Sequence, residues 1–225
     1  EDNQPLKDKL GQFPLSKKEF FSFTTADGTS LNGFIIKPQN FDPQKKYPTL
    51  MYGYGGPGSQ QVVDAWETKY LLFFQYLSQE GYVIACVDNR GTGARGEEFK
   101  KMTYQHLGKY EPLDQVEAAK YLGTLSFVDK SRIGFFGWSY GGYLSSLCIE
   151  LGAGVFKSAI AIAPVTDWRF YDNIYTERYM RKPGENKAGY NEGAPITYAD
   201  KIKGNFLLIA GLADDNVHYQ SAELL

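Results

Sequence analysis

The residue with the clearest chemical potential in this sequence is Ser139, set in Gly137-Trp-Ser139-Tyr-Gly141. A strand pattern over residues 132–136 precedes it and a helix pattern beginning near Tyr140 follows it. G-x-S-x-G between a strand and a helix is how a chain holds a serine oxygen out on a tight turn. Crowded backbone at such a turn leaves room only for glycine on either side. The helix N-terminus behind the serine offers free N–H groups and a positive dipole to a developing oxyanion. The implied chemistry is nucleophilic attack by Ser139 on an acyl carbon.

A nucleophilic serine needs a base, and the base needs an acid to orient it. Gly211-Leu-Ala-Asp214-Asp215-Asn216 follows a late strand pattern at 206–210, where a carboxylate could serve as that acid. The same pair could instead cap the next helix, or one could cap while the other serves. The chain has two histidines, His106 and His218. His218 lies four residues after Asp214 and would share its strand end. His106 precedes the serine in a polar stretch. Both read as structural histidines, so neither is expected to be the base. No Cys or His spacing suggests a metal, and Cys86 and Cys148 read as small core residues. Residues 53–58 are glycine-rich but lack the Gly-Lys-Ser/Thr ending of a phosphate loop.

These residues must be positioned by the elements around them. Residues 19–25 and 30–37 read as a β-hairpin across Ala26-Asp-Gly-Thr29. Tyr47–Tyr52, 82–87, 132–136, 156–163 and 206–210 read as further strands. Residues 66–79, 113–122 and Tyr140–Leu151 read as helices, the second with Pro112 at its first position. A further helix is expected to begin within residues 218–225. Alternation of strand and helix after a hairpin predicts an α/β fold, a mostly parallel sheet with helices on both faces. Ligands of such sheets sit at the carboxyl ends of the strands. The segments to watch are therefore 53–58, 88–96, 137–142, 164–180 and 211–218.

The 225 residues correspond to one large domain or two small ones. Residues 1–18 are polar and read as a linker or lead-in, leaving 19–225 as the folded domain. Net charge is −2 and the isoelectric point about 5.8, so no basic surplus exists for nucleic acid. Aromatic residues make up 16%, enough to line a pocket as well as fill a core.

Five motifs in order resemble the catalytic domain of the prolyl oligopeptidase family, in its dipeptidyl peptidase IV branch. They are Tyr54-Gly-Gly-Pro-Gly-Ser-Gln60, Gly137-Trp-Ser-Tyr-Gly-Gly-Tyr143, Ala163-Pro-Val-Thr-Asp-Trp168, Tyr175-Thr-Glu-Arg-Tyr-Met180 and Ala213-Asp-Asp-Asn-Val-His218. The likeness runs from about residue 19 to the end. It implies an α/β-hydrolase fold preceded by a β-propeller, and a serine exopeptidase releasing X-Pro dipeptides from peptides with proline second. By position, Ser139 resembles the nucleophile, Asp214 the triad acid, and Tyr54 with the Tyr140 N–H the oxyanion hole. Tyr140, Val165, Trp168, Tyr171, Tyr175 and Val217 resemble the proline pocket, though Trp168, Tyr171 and Tyr175 also suit one face of a core helix. Arg178 and Asn216 resemble substrate-carbonyl binders.

The resemblance implies no cofactor, a propeller in cis, a homodimer, and a periplasmic or secreted location. In the family the histidine follows one more helix and strand. Residues 215–225 are too few for both, so the last strand and helix, and the base, are expected beyond Leu225. A chain ending there is expected to be inactive alone. Two alternatives stand beside this reading: an acylaminoacyl peptidase or esterase on the same fold, or a non-catalytic interaction domain.

Overall fold

The computed structural model describes residues 2–66, 70–152 and 154–225. Within them, strands β1 (Lys18–Thr24), β2 (Ser30–Ile36), β3 (Tyr47–Tyr52), β4 (Val83–Asp88), β5 (Val128–Trp138), β6 (Ser158–Ile162) and β7 (Asn205–Ile209) form one sheet. Its order is β1-β2-β4-β3-β5-β6-β7. The hairpin β1–β2 is antiparallel and joins β4 antiparallel; every pairing from β4 to β7 is parallel.

The central strands are apolar on both sides because both sheet faces are covered. In β4, Val83, Ala85 and Val87 enter one core with helices α4 (Tyr110–Leu122) and α5 (Tyr140–Leu151). Ile84 and Cys86 enter a second core with Phe74 of α2 (Leu71–Gln79). Both cysteines are buried and unbridged.

Several boundaries differ from the sequence reading. A short helix α1 (Gln4–Leu10) forms within the polar lead-in, with Pro5 in its first turn and no buried residue. Helix α2 starts at Leu71 rather than at 66; residues 67–69 lie outside the described residues, as does residue 1. Helix α4 starts at Tyr110, which puts Pro112 at the third position. That costs nothing, because the first four N–H groups of a helix have no partner within it. Three short helices lie in stretches read as loop or left unassigned, α3 (Glu97–Lys101), α6 (Asn173–Met180) and α7 (Lys187–Glu192), while α8 (Gln220–Glu223) forms where a helix start is expected. Among the described residues no helix is long and apolar enough to cross a membrane.

One core group is costly. Glu150 on α5 is only 3% exposed, and neither carboxylate oxygen has a hydrogen-bond partner among the described residues. Burial pushes its pKa up to about 9. A raised folded pKa gives stability that is full below pH ~4.5 and lost as pH rises through ~9. Glu150→Leu is therefore expected to stabilise the protein by about 2–4 kcal/mol at pH 8. The gain should vanish toward pH 4, which thermal melts across that range will read. Equal gains at both ends would point to packing rather than charge.

Candidate active site

The turn between β5 and α5 is the geometric centre of the site. Ser139 has φ 60° and ψ −119°, a left-handed conformation that a residue with a side chain adopts only under strain. Its N–H donates to the Ile162 carbonyl at 2.8 Å, and its carbonyl accepts from Tyr143 N–H at 3.0 Å. Space explains the glycines. A Cβ on Gly137 would lie 2.1 Å from the Gly141 carbonyl oxygen, and one on Gly141 would lie 2.3 Å from that of Gly53. The second approach brings the loop after β3, with Tyr54, against the start of α5.

That loop is anchored. Asn89 Nδ2 donates to the Gly55 carbonyl at 3.1 Å, and Asp88 accepts from the N–H groups of Gln61 and Val62. Gly58 N–H donates to the Gly91 carbonyl at 2.8 Å, and Gly93 N–H to that of Ser59 at 2.7 Å. The segments following β3 and β4 are thus laced together beside the turn. Tyr54, half-buried, and Ser139 line one open groove of about 590 Å³ together with Tyr52, Gln60, Trp66 and Trp138. Tyr140 is the first residue of α5, so its N–H has no partner within the helix. A phenol and a free amide thus flank the serine, and burial raises the Tyr54 pKa and keeps its proton in place as a donor.

On the other side of Tyr140 lies an aromatic cluster. Tyr140, Val165, Trp168 and Val217 are buried there, with Tyr54, Tyr171, Tyr175 and Tyr179 half-buried against them. Ring centroids stand 5.5 Å apart for Tyr140–Trp168, 5.8 Å for Trp168–Tyr175 and 5.4 Å for Tyr171–Tyr175. Trp168, Tyr171 and Tyr175 do not share one helix. Asp167 accepts from Arg169 N–H and caps a 3₁₀ turn at Trp168–Phe170, and Asp172 accepts from Tyr175 N–H and caps α6. Two acceptors five residues apart split the run into two elements, and the rings converge from both.

The candidate acid lies after β7. Asp214 Oδ1 accepts from the N–H groups of Asn216 and Val217, both at 3.0 Å, while Oδ2 takes no hydrogen bond among the described residues. One oxygen shapes the turn and the other is available. Asn216 Oδ1 accepts from Tyr171 Oη at 3.0 Å, tying this turn to the aromatic cluster. Arg178 is exposed and lines a separate cavity of about 390 Å³ with Lys100, Lys101, Tyr104 and Tyr179. His106 and His218 are both exposed, and neither ring makes a hydrogen bond among the described residues.

Three neighbours of the site were not singled out from sequence. Trp138 and Tyr179 belong to motifs already quoted. Glu111 lies outside the expected helix 113–122, because α4 begins three residues earlier, at Tyr110.

A mostly parallel sheet with a strained serine between strand and helix, glycines on both sides and two flanking donors defines an α/β-hydrolase domain with a candidate serine nucleophile. The family model for the prolyl oligopeptidase family matches residues 68–225, and the chain belongs to that family. The crystal structure of Porphyromonas gingivalis dipeptidyl peptidase 4 superposes on the whole chain with TM-score 0.96 and 49% identity, the chain covering 31% of it. A probable dipeptidyl peptidase 4 from Arthroderma benhamiae is 44% identical over 99% of the chain, which spans 29% of its length. A probable dipeptidyl-aminopeptidase B from Trichophyton verrucosum is 45% identical over 98% of the chain, which spans 24% of its length.

Proposed function

We propose that this chain is the catalytic portion of a serine dipeptidyl peptidase that cleaves after proline. The observation that carries the reading is the contiguity of Ser139 and Tyr54 with the box formed by Tyr140, Val165, Trp168, Tyr171, Tyr175 and Val217. Proline presents a compact apolar ring and no N–H, so a box of rings recognises it by shape and dispersion. The relatives' names, dipeptidyl peptidase 4 and dipeptidyl-aminopeptidase B, support the exopeptidase half.

In this reading Ser139 Oγ attacks the carbonyl carbon of the second residue and gives its proton to a histidine. The Tyr54 hydroxyl and the Tyr140 N–H hold the oxyanion. The histidine passes the proton to the leaving amine, and an ester remains on Ser139. Water, deprotonated by the same base, then attacks the ester carbon, and the base returns that proton to the departing Ser139 Oγ. Asp214 Oδ2 orients the histidine and stabilises its charged form. The exposed, unengaged rings of His106 and His218 favour a base from outside these residues. A preceding β-propeller, which would hold the substrate's free amine, a homodimer and a periplasmic or secreted location belong to the same reading.

The test is an assay of the full-length protein on X-Pro and X-Gly chromogenic dipeptides, an N-blocked X-Pro analogue and a short acyl ester. Strong preference for free X-Pro is expected. Ester turnover with none on X-Pro would overturn the reading in favour of an esterase. The 225-residue chain alone is expected to show near-zero turnover. Wild-type-like rates from it would sink the assignment of the base to residues outside it.

A further inference from the structure

Glu111 is the second residue of α4, is fully buried, and lies under the aromatic box rather than beside the serine. Tyr140 Oη donates to its Oε1 at 2.6 Å, and the Gly108 N–H lies 3.1 Å from each of its two oxygens. Gly108 in turn sits so close to α5 that a Cβ there would lie 2.0 Å from Tyr143 Oη. The loop before α4 is therefore pressed against the first turn of α5, and the carboxylate is the polar tie between them.

The tie ends on one residue with two duties. Tyr140 places the amide aimed at the oxyanion, and its ring stands between Tyr54, at 6.0 Å, and Trp168, at 5.5 Å. Among the described residues, nothing else in the hydrogen-bond network holds its phenol end. Burial pushes the Glu111 pKa up to about 7, with the Tyr140 hydroxyl pulling it down. A buried carboxyl is a poor way to stabilise a core; an apolar residue of similar volume usually does as well or better. Its place under the box fits a demand for orientation.

We propose that Glu111 is a positioning residue that, through the Tyr140 hydroxyl, sets the ring wall of the proline box and the direction of the adjoining oxyanion amide. The inference rests on the proposed peptidase reading.

The experiment uses the full-length protein with Glu111→Ala, Glu111→Gln, Tyr140→Phe and the double variant Glu111→Gln/Tyr140→Phe. Folded fraction is followed by thermal melts. Rates are read on X-Pro and X-Ala substrates, and by labelling of Ser139 with a fluorophosphonate. Glu111→Ala and Tyr140→Phe should each lower kcat/KM on X-Pro by roughly 10- to 100-fold per folded molecule, the range a small misplacement produces. X-Ala should suffer less, so the X-Pro/X-Ala ratio falls. Glu111→Gln, which keeps an acceptor, should recover much of the loss. The double variant should lose no more than Tyr140→Phe alone, because the two residues act as one unit. If Glu111→Ala does not fold, Tyr140→Phe decides, since it keeps the ring and the amide. An unchanged X-Pro/X-Ala ratio in folded variants, with only melting temperature lowered, would overturn the proposal. A wild type that neither labels nor turns over peptides would instead fail the peptidase reading.

Discussion

Ser139→Ala in the full-length protein is expected to lower kcat/KM on an X-Pro substrate by about three to six orders of magnitude, leaving its melting temperature within a few degrees of wild type. The size follows from the role. Loss of a serine nucleophile removes the covalent route, and only binding and oxyanion stabilisation remain, which together retain roughly 10³- to 10⁴-fold over water. Stability should hold because, among the described residues, the side chain makes no hydrogen bond in the turn. What fixes the turn is backbone: Ser139 N–H to the Ile162 carbonyl, Tyr143 N–H to the Ser139 carbonyl, and the close approach of Gly137 to Gly141. Alanine keeps all three. Full activity in the variant would exclude Ser139 as nucleophile. Loss of activity together with loss of folding would place the residue's importance in the turn.

Tyr54→Phe is expected to lower kcat by roughly 10²- to 10³-fold, the cost of removing one oxyanion donor. The substitution keeps the ring that packs against Tyr140 and against Gly56, whose Cβ would lie 2.8 Å from Tyr54 Cε1. KM should change little, because the hydroxyl is needed where negative charge develops and hardly at all for the resting carbonyl. If KM rose and kcat stayed, Tyr54 would be a ground-state contact and the Tyr140 amide would need a different second donor. Burial also raises the Tyr54 pKa, so the hydroxyl should remain a donor across the neutral range. A rate loss with an apparent pKa near neutrality therefore should not be assigned to Tyr54.

Much of this was legible along the chain. Strand Tyr47–Tyr52 and helix Tyr140–Leu151 match the sequence reading residue for residue. Both are apolar runs followed directly by glycine, so local pattern and tertiary burial agree there. The serine turn was equally legible, because its glycines answer a local steric demand that a few atoms impose. The reading weakened where short polar side chains set the boundaries. Asp167 and Asp172 end and restart structure within residues 164–180, and a period count cannot see which carboxylate will accept which N–H. Pro112 misled for a related reason: it is tolerated throughout the first helical turn, so it marks a helix start only to within a few residues.

The sequence by itself singled out the candidate nucleophile and the candidate acid after a late strand, and determined the class of sheet that carries them. Each is written in short-range order: glycine spacing, strand before helix, carboxylate after strand. Tertiary structure alone decided that rings from α5, a 3₁₀ turn and α6 meet in one box, and that Glu111 lies beneath Tyr140. Those facts depend on contacts between residues far apart in the chain. Glu111 and Tyr140 come within hydrogen-bond distance only because α4 and α5 pack on the same sheet face, a distance that no local pattern encodes.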